Sequence, residues 1–221
     1  MKFNRLFILL VLFVASQIVN AQSKFSLMPG LYYNGPTLLL EDAVQGVGLA
    51  IGVEYMPRQN HFFSIELRSR YGAYFFDDKT DWVLNEDRIL VPGKASLHYK
   101  LFNPTIGVVP RLYIYLDEYE IHSLFLENEI AVGLMMGNFE YNGQPYAKKS
   151  FTEPTFSYII CAGVRVKGGG NMLVDISVGF STLNFRNNII KHQPRNYQGR
   201  IPNQDTFLIA NMIFRFPLGK M

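Results

Sequence analysis

Residues 46–56 read GVGLAIGVEYM, and residues 62–76 read FFSIELRSRYGAYFF. In an extended chain, successive side chains point to opposite faces. Val47, Leu49, Ile51, Val53 and Tyr55 therefore share one face of the first stretch. Gly48, Ala50, Gly52 and Glu54 share the other. In the second stretch Phe63, Ile65, Leu67, Tyr71, Ala73 and Phe75 oppose Ser64, Glu66, Arg68, Arg70 and Gly72. One face is large and apolar; the other is small residues plus charges. Two faces this different have to meet two different media.

The same alternation continues along the chain. Leu124, Leu126, Ile130, Val132, Leu134 and Met136 oppose Phe125, Glu127, Glu129, Ala131 and Gly133, with Asn128 interrupting the apolar side. Tyr158, Ile160, Ala162, Val164 and Val166 oppose Ser157, Cys161, Gly163 and Arg165. Val174, Ile176, Val178 and Phe180 oppose Asp175, Ser177, Gly179 and Ser181, and Phe214 and Phe216 flank Arg215. The pattern predicts strands over 25–34, 46–56, 62–76, 95–116, 121–141, 155–167, 172–185 and 206–217. The fourth contains Pro104 and Pro110, which disturb pairing. The connections alternate in length. Short turns are expected at 57–60, 117–120 and 168–171, and long loops near 35–45, 77–94, 142–154 and 186–205.

An alternating chain can close in two ways. A soluble carrier barrel of the lipocalin kind turns the apolar face inward. A membrane barrel turns it outward to lipid. An interior of about eight strands is only wide enough for side chains, which suits the small-residue face. The expectation is all-β: a single closed, antiparallel, up-and-down transmembrane barrel of about eight strands with a polar lumen. Its inward acids would be Glu54, Glu66, Glu127, Glu129 and Asp175, and its inward bases Arg68, Arg70, Arg111, Arg165 and Arg215. All the bases are arginine, whose planar fork suits fixed ion pairs better than lysine does. An unpaired charge there would cost several kcal/mol, so these side chains are expected to form one charge-paired network that plugs the lumen. Tyr55, Phe62, Phe63, Tyr74, Phe75, Phe76, Trp82, Phe139, Tyr141, Phe156 and Tyr158 fall near strand ends, where interfacial girdles form.

The N-terminus reads as an export signal. Lys2 and Arg5 precede an apolar run of nine residues, Leu6 to Val14, and Val19-Asn20-Ala21 offers a cleavage site. The run is too short for a helical span, which needs about 20 residues. Residues 1–21 are expected to be removed, leaving a barrel domain over 22–221. The formal charge then falls from +3 to +1, which gives no case for nucleic acid as a partner. Cys161 is the one cysteine, so no internal disulfide forms; it reads as a small packed residue.

No catalytic, metal-binding or cofactor-binding residue is expected. His61, His98, His122 and His192 lack metal-ligand spacing. Gly46-x-Gly48 and Gly168-Gly169-Gly170 lack the partners of a nucleotide loop. His122-Ser123 are adjacent, and so face opposite ways, which does not fit a lipid-deacylating pair.

On the signal, the alternating strands, the loop order and the closing strand Phe207 to Phe216, residues 22–221 resemble the small outer-membrane β-barrel proteins of the OmpA/OmpX-like group. The resemblance is strongest to the exported barrels of Bacteroidota. Such barrels often end on an aromatic residue; here Phe216 is followed by five more residues. The resemblance implies a Gram-negative outer membrane, with its lipid as first partner, and long loops at the cell surface. The expected role is structural, or adhesion and recognition of an extracellular ligand, with Trp82 in the loop from Asp77 to Pro92 as the preferred contact. Alternatives are an accessory part of a secretion or transport complex with a membrane-protein partner, a lipid-modifying enzyme, and a soluble carrier.

Overall fold

A computed structural model describes residues 24–36, 44–57, 62–117, 122–142, 144–145, 150–183, 185–192, 194, 197 and 206–218. The expected signal at 1–21 lies outside the described residues, as do His61, 58–60, 118–120 and most of 193–205. The strands are β1 (Lys24–Pro36), β2 (Gln45–Met56), β3 (Phe63–Leu84), β4 (Leu90–Tyr115) and β5 (Ser123–Tyr141). They continue with the two-residue β6 (Gln144–Pro145), then β7 (Phe151–Lys167), β8 (Leu173–Leu183) and β9 (Thr206–Leu218). One helix, α1 (Phe185–His192), lies between β8 and β9.

Eight strands close into a ring. Each pairs antiparallel with its neighbour, β4 pairs with β5, and β9 returns to pair with β1; β6 is a short addition on β5. Closure leaves the spanning strands no free edge, so backbone groups are satisfied without water. The prolines of β4 sit on its outward side. The register with β5 skips residues 103–104 and 109–110, where Pro104 and Pro110 have no N–H to give.

The two faces separate as alternation requires. Leu31, Val47, Leu49, Ile51, Leu67, Ile106, Ile130, Leu134, Val178 and Leu208 point away from the barrel, and each keeps two-fifths or more of its surface accessible. Glu54, Glu66, Arg68 and Arg111 point inward and are fully buried. A continuous outer apolar band around a charged interior is stable only in hydrocarbon. Glycines make the interior fit. A Cβ on Gly52 would stand 2.0 Å from Glu66 Oε1, and one on Gly48 would stand 2.5 Å from the Tyr32 ring.

The structure departs from the sequence pattern above the membrane. Residues 77–94 are not a loop. β3 and β4 continue as a paired hairpin to Leu84 and Leu90, and the turn spans only 85–89. The outward residues change from Phe75 to Asp77 on β3, from Phe102 to Lys100 on β4, and from Met136 to Asn138 on β5. These steps mark the upper edge of the apolar band. Beyond it the outward face meets water, so the alternation that signals a membrane strand disappears while backbone pairing continues. The hairpin runs on for roughly 30 Å along the strand past that edge. The expected loop 186–205 holds α1, and 151–154, expected as loop, begin β7. Tyr74, Phe76 and Phe139, which the strand-end pattern assigns to a lipid girdle, are buried inside.

Leu49→Arg places a charge in the middle of the band. It is expected to lower the urea-unfolding free energy in lipid vesicles by about 2–4 kcal/mol, whereas Asn138→Lys, just above the edge, costs under about 1 kcal/mol.

Candidate functional site

Three features on the barrel axis carry its chemistry: a charged tier, an aromatic stopper and a projecting hairpin. The charged tier is built from strands all round the ring. Glu54 is on β2; Glu66, Arg68 and Arg70 are on β3; Arg111 is on β4; Glu127 and Glu129 are on β5; Arg165, Asp175 and Arg215 are on β7, β8 and β9. All ten side chains are buried, in the half of the lumen nearer the short turns.

Within the tier each arginine meets carboxylates. Arg68 donates to both oxygens of Glu66 at 2.7 Å and reaches Glu127 and Glu129 at 3.1 Å each. Arg70 donates to Glu129 at 2.7 Å and to Asn211 Oδ1 at 2.9 Å. Arg111 lies 2.6 Å from Glu127, 2.9 Å from Asp175 and 3.3 Å from Glu66. Arg165 forks onto Asp175 at 2.7 and 2.8 Å, and Arg215 pairs with Glu54.

Tyr113 joins the two ends of this network. Its hydroxyl donates to Glu54 at 2.5 Å and accepts from Arg165 at 2.7 Å and Arg215 at 3.2 Å. Its ring lies 4.4 Å from the Arg165 guanidinium, which stacks over it. The sequence pattern does not single out Tyr113, although its spacing of two from Arg111 places it on the same face. Met56, Phe125 and Tyr113 pack together at the short-turn end and close the lumen below.

Above the charges the interior turns apolar. Tyr74, Phe76, Leu97, Tyr99, Leu101, Met135, Phe139, Phe151, Leu183 and Phe207 form one buried cluster. α1 caps it by inserting Phe185 and Ile189, each 1% exposed. Phe185 meets Tyr74 at 4.7 Å and Phe207 at 5.1 Å between ring centroids. At the other end of α1, Lys191 and His192 donate to Glu153 at 2.5 and 2.8 Å, and His192 stacks on Phe151. Phe185 and Ile189 carry no signal in the sequence, because a two-turn helix is too short to show a stripe.

The end of the hairpin is exposed. A register irregularity between Thr80 and Trp82 shifts the alternation by one residue. Below it Phe76 and Asp78 point inward; above it Val83 packs on the interior cluster and bridges to Tyr197. Trp82 and Leu84, with their partners Pro92 and Leu90, therefore share the outer face. Trp82 and Leu90 are about half exposed. Trp82 thus sits in a strand end rather than in a loop. Charged and polar outward residues, among them Asp77, Lys79, Lys94 and Lys100, separate this apolar patch from the membrane band.

His98 pairs with Asp77 above the band, while His122 pairs with Asp117 at 2.5 Å at the opposite end of the barrel. Among the described residues no cluster of His, Cys, Asp and Glu could hold a metal. Cys161 is buried and lies 3.5 Å from Asn211 Nδ2.

Arg165→Met leaves Asp175 held by Arg111 alone and the lumen one positive charge short; it is expected to cost about 3–5 kcal/mol in vesicle unfolding, while adding Asp175→Leu restores the balance and recovers at least half of that.

No family model matches the chain, and no curated protein matches it in sequence. Solved structures do match. A major outer membrane protein from Thermus thermophilus aligns with a TM-score of 0.50 and 10% identity, over 89% of this chain and 100% of that one. Neisserial surface protein A aligns at 0.46 and 9% identity, over 87% of this chain and 95% of that one. Ail, the attachment invasion locus protein of Yersinia pestis, aligns at 0.39 and 14% identity, over 88% of this chain and 97% of that one. The fold is that of the small outer-membrane β-barrels.

Proposed function

We propose that this outer-membrane barrel is a non-enzymatic, closed scaffold that presents the β3–β4 hairpin at the cell surface for recognition of an extracellular partner. The observation that carries the reading is the combination of a filled lumen with a long extension that is exposed among the described residues. Aromatic side chains close the barrel at both ends of the charged tier, so passage of solutes is a poor use of this interior. The hairpin, by contrast, holds an apolar face of Trp82, Leu84, Leu90 and Pro92 in water. Exposed apolar surface rimmed by charge is a contact surface by its physics. A tryptophan at its centre suits a binding hot spot. The wide separation of His98 and His122 speaks against a shared catalytic role. The pattern-level likeness to the exported Bacteroidota barrels belongs to the same proposal.

Two measurements test it. In planar bilayers the native chain should show no steady conductance. Cells displaying the native chain are expected to bind immobilised surface glycans or proteins that cells displaying Trp82→Ala/Leu90→Ser bind at least about tenfold less, the effect of losing a hot-spot aromatic. Equal binding by both, with the variant correctly folded on a gel, would sink the recognition reading.

A further inference from the structure

Asn128 faces the wrong medium. On β5 the outward positions from Leu124 to Met136 are apolar except for this one. It stands two outward positions above Leu124, roughly 14 Å up the strand and inside the apolar band. A polar side chain facing hydrocarbon is costly and calls for a partner. Part of that need is met within the chain: the Tyr158 hydroxyl donates to Asn128 Oδ1 at 2.8 Å. The Nδ2 group, with two N–H donors, has no partner among the described residues.

The surroundings are apolar. Leu126 is paired with Ala162 on β7, and the β4 register skips Pro110 beside Asn128. Asn128 itself is paired with Ile160 on β7, so compact Pro110 lies on one side of the amide and Ile160 on the other, with Ala162 diagonal to it. Acyl chains at this depth offer no acceptor. A carboxamide, however, is donor and acceptor at once, so the same patch on another molecule answers it. Oδ1 has a second lone pair beyond the one that takes the Tyr158 proton.

We infer that the β4–β5–β7 face is the interface of a homodimer, in which Asn128 Nδ2 of each copy donates to Asn128 Oδ1 of the other across a two-fold axis. A self-complementary patch of this kind makes an isologous contact, which closes at two copies. The inference depends on the outward face meeting lipid, and it is independent of what the hairpin binds.

The test uses the full chain in lipid vesicles with Cys161→Ser, so that an introduced cysteine is the only thiol. Under mild oxidation Asn128→Cys should yield a disulfide-linked dimer on a non-reducing gel. Leu31→Cys, outward on β1 and across the ring from β5, should yield about a tenth as much or less. Asn128→Leu should raise the dimer dissociation constant in vesicles about tenfold, the scale of polar contacts between membrane segments, while keeping the gel shift of a folded barrel. Should Asn128→Leu misfold, Asn128→Ala reads the same loss. A native chain that stays monomeric at every protein-to-lipid ratio overturns the inference. So does an Asn128→Leu chain that dimerises as well as the native one, or equal crosslinking at 128 and 31.

Discussion

The structure depends on one constraint: the outer face of the barrel meets hydrocarbon, so every charge the spanning strands carry has to find its opposite inside. Five arginines and five carboxylates do this in a lumen with no room for bulk water. In so apolar a setting a lone ion costs several kcal/mol, and a half-satisfied network is worse than an apolar core. The network is therefore collective. Arg68 and Arg111 each bind several acids, so the loss of one member leaves more than one partner exposed to the deficit. Glycine enters for the same reason. Gly52 has no side chain because the Glu66 carboxylate occupies that space.

The barrel changes character along its axis. Inside the membrane it is apolar outside and charged within. Above the membrane edge the outside is Asp77, Lys79, Lys94 and Lys100, and the inside is Phe76, Tyr99 and Phe139. That upper part follows the rule of a water-soluble protein, with an aromatic core and a polar surface. One set of strands thus serves two solvents, and the change occurs within a residue pair or two on each strand. α1 completes the upper core as a helix would in any soluble domain, by burying two apolar side chains and leaving most of the rest to water.

Much of this could be read from the chain. Period-2 alternation separated the two faces of β2, β3, β5, β7 and β8, and the inward side of Glu54, Arg68 and Glu129 follows from parity alone. The hairpin could not be read in this way. Its polar outward residues, Asp77 to Asp81, look like a loop, because the periodic signal depends on having lipid on one side. The bulge at Thr80–Trp82 adds a second obstacle, since it reverses which parity faces out. Tyr74 and Phe76 share the parity of Arg68 and Arg70, so their inward place was legible too; the girdle reading went astray because nearness to a strand end says nothing about which face an aromatic ring takes.

The sequence by itself determined the all-β class, the strand count, the sidedness of the spanning segments and the balance of inward charge, because alternation and composition are local properties. Only the tertiary structure decided which arginine meets which carboxylate. Those partners lie on strands far apart in the chain, and the stagger of the closed ring sets their heights. Tertiary structure also decided that Tyr113 ties Glu54 to Arg165 and Arg215, and that α1 seals the upper core. Such contacts across a lumen depend on closure, and closure is a relation among all eight strands rather than a property of any one.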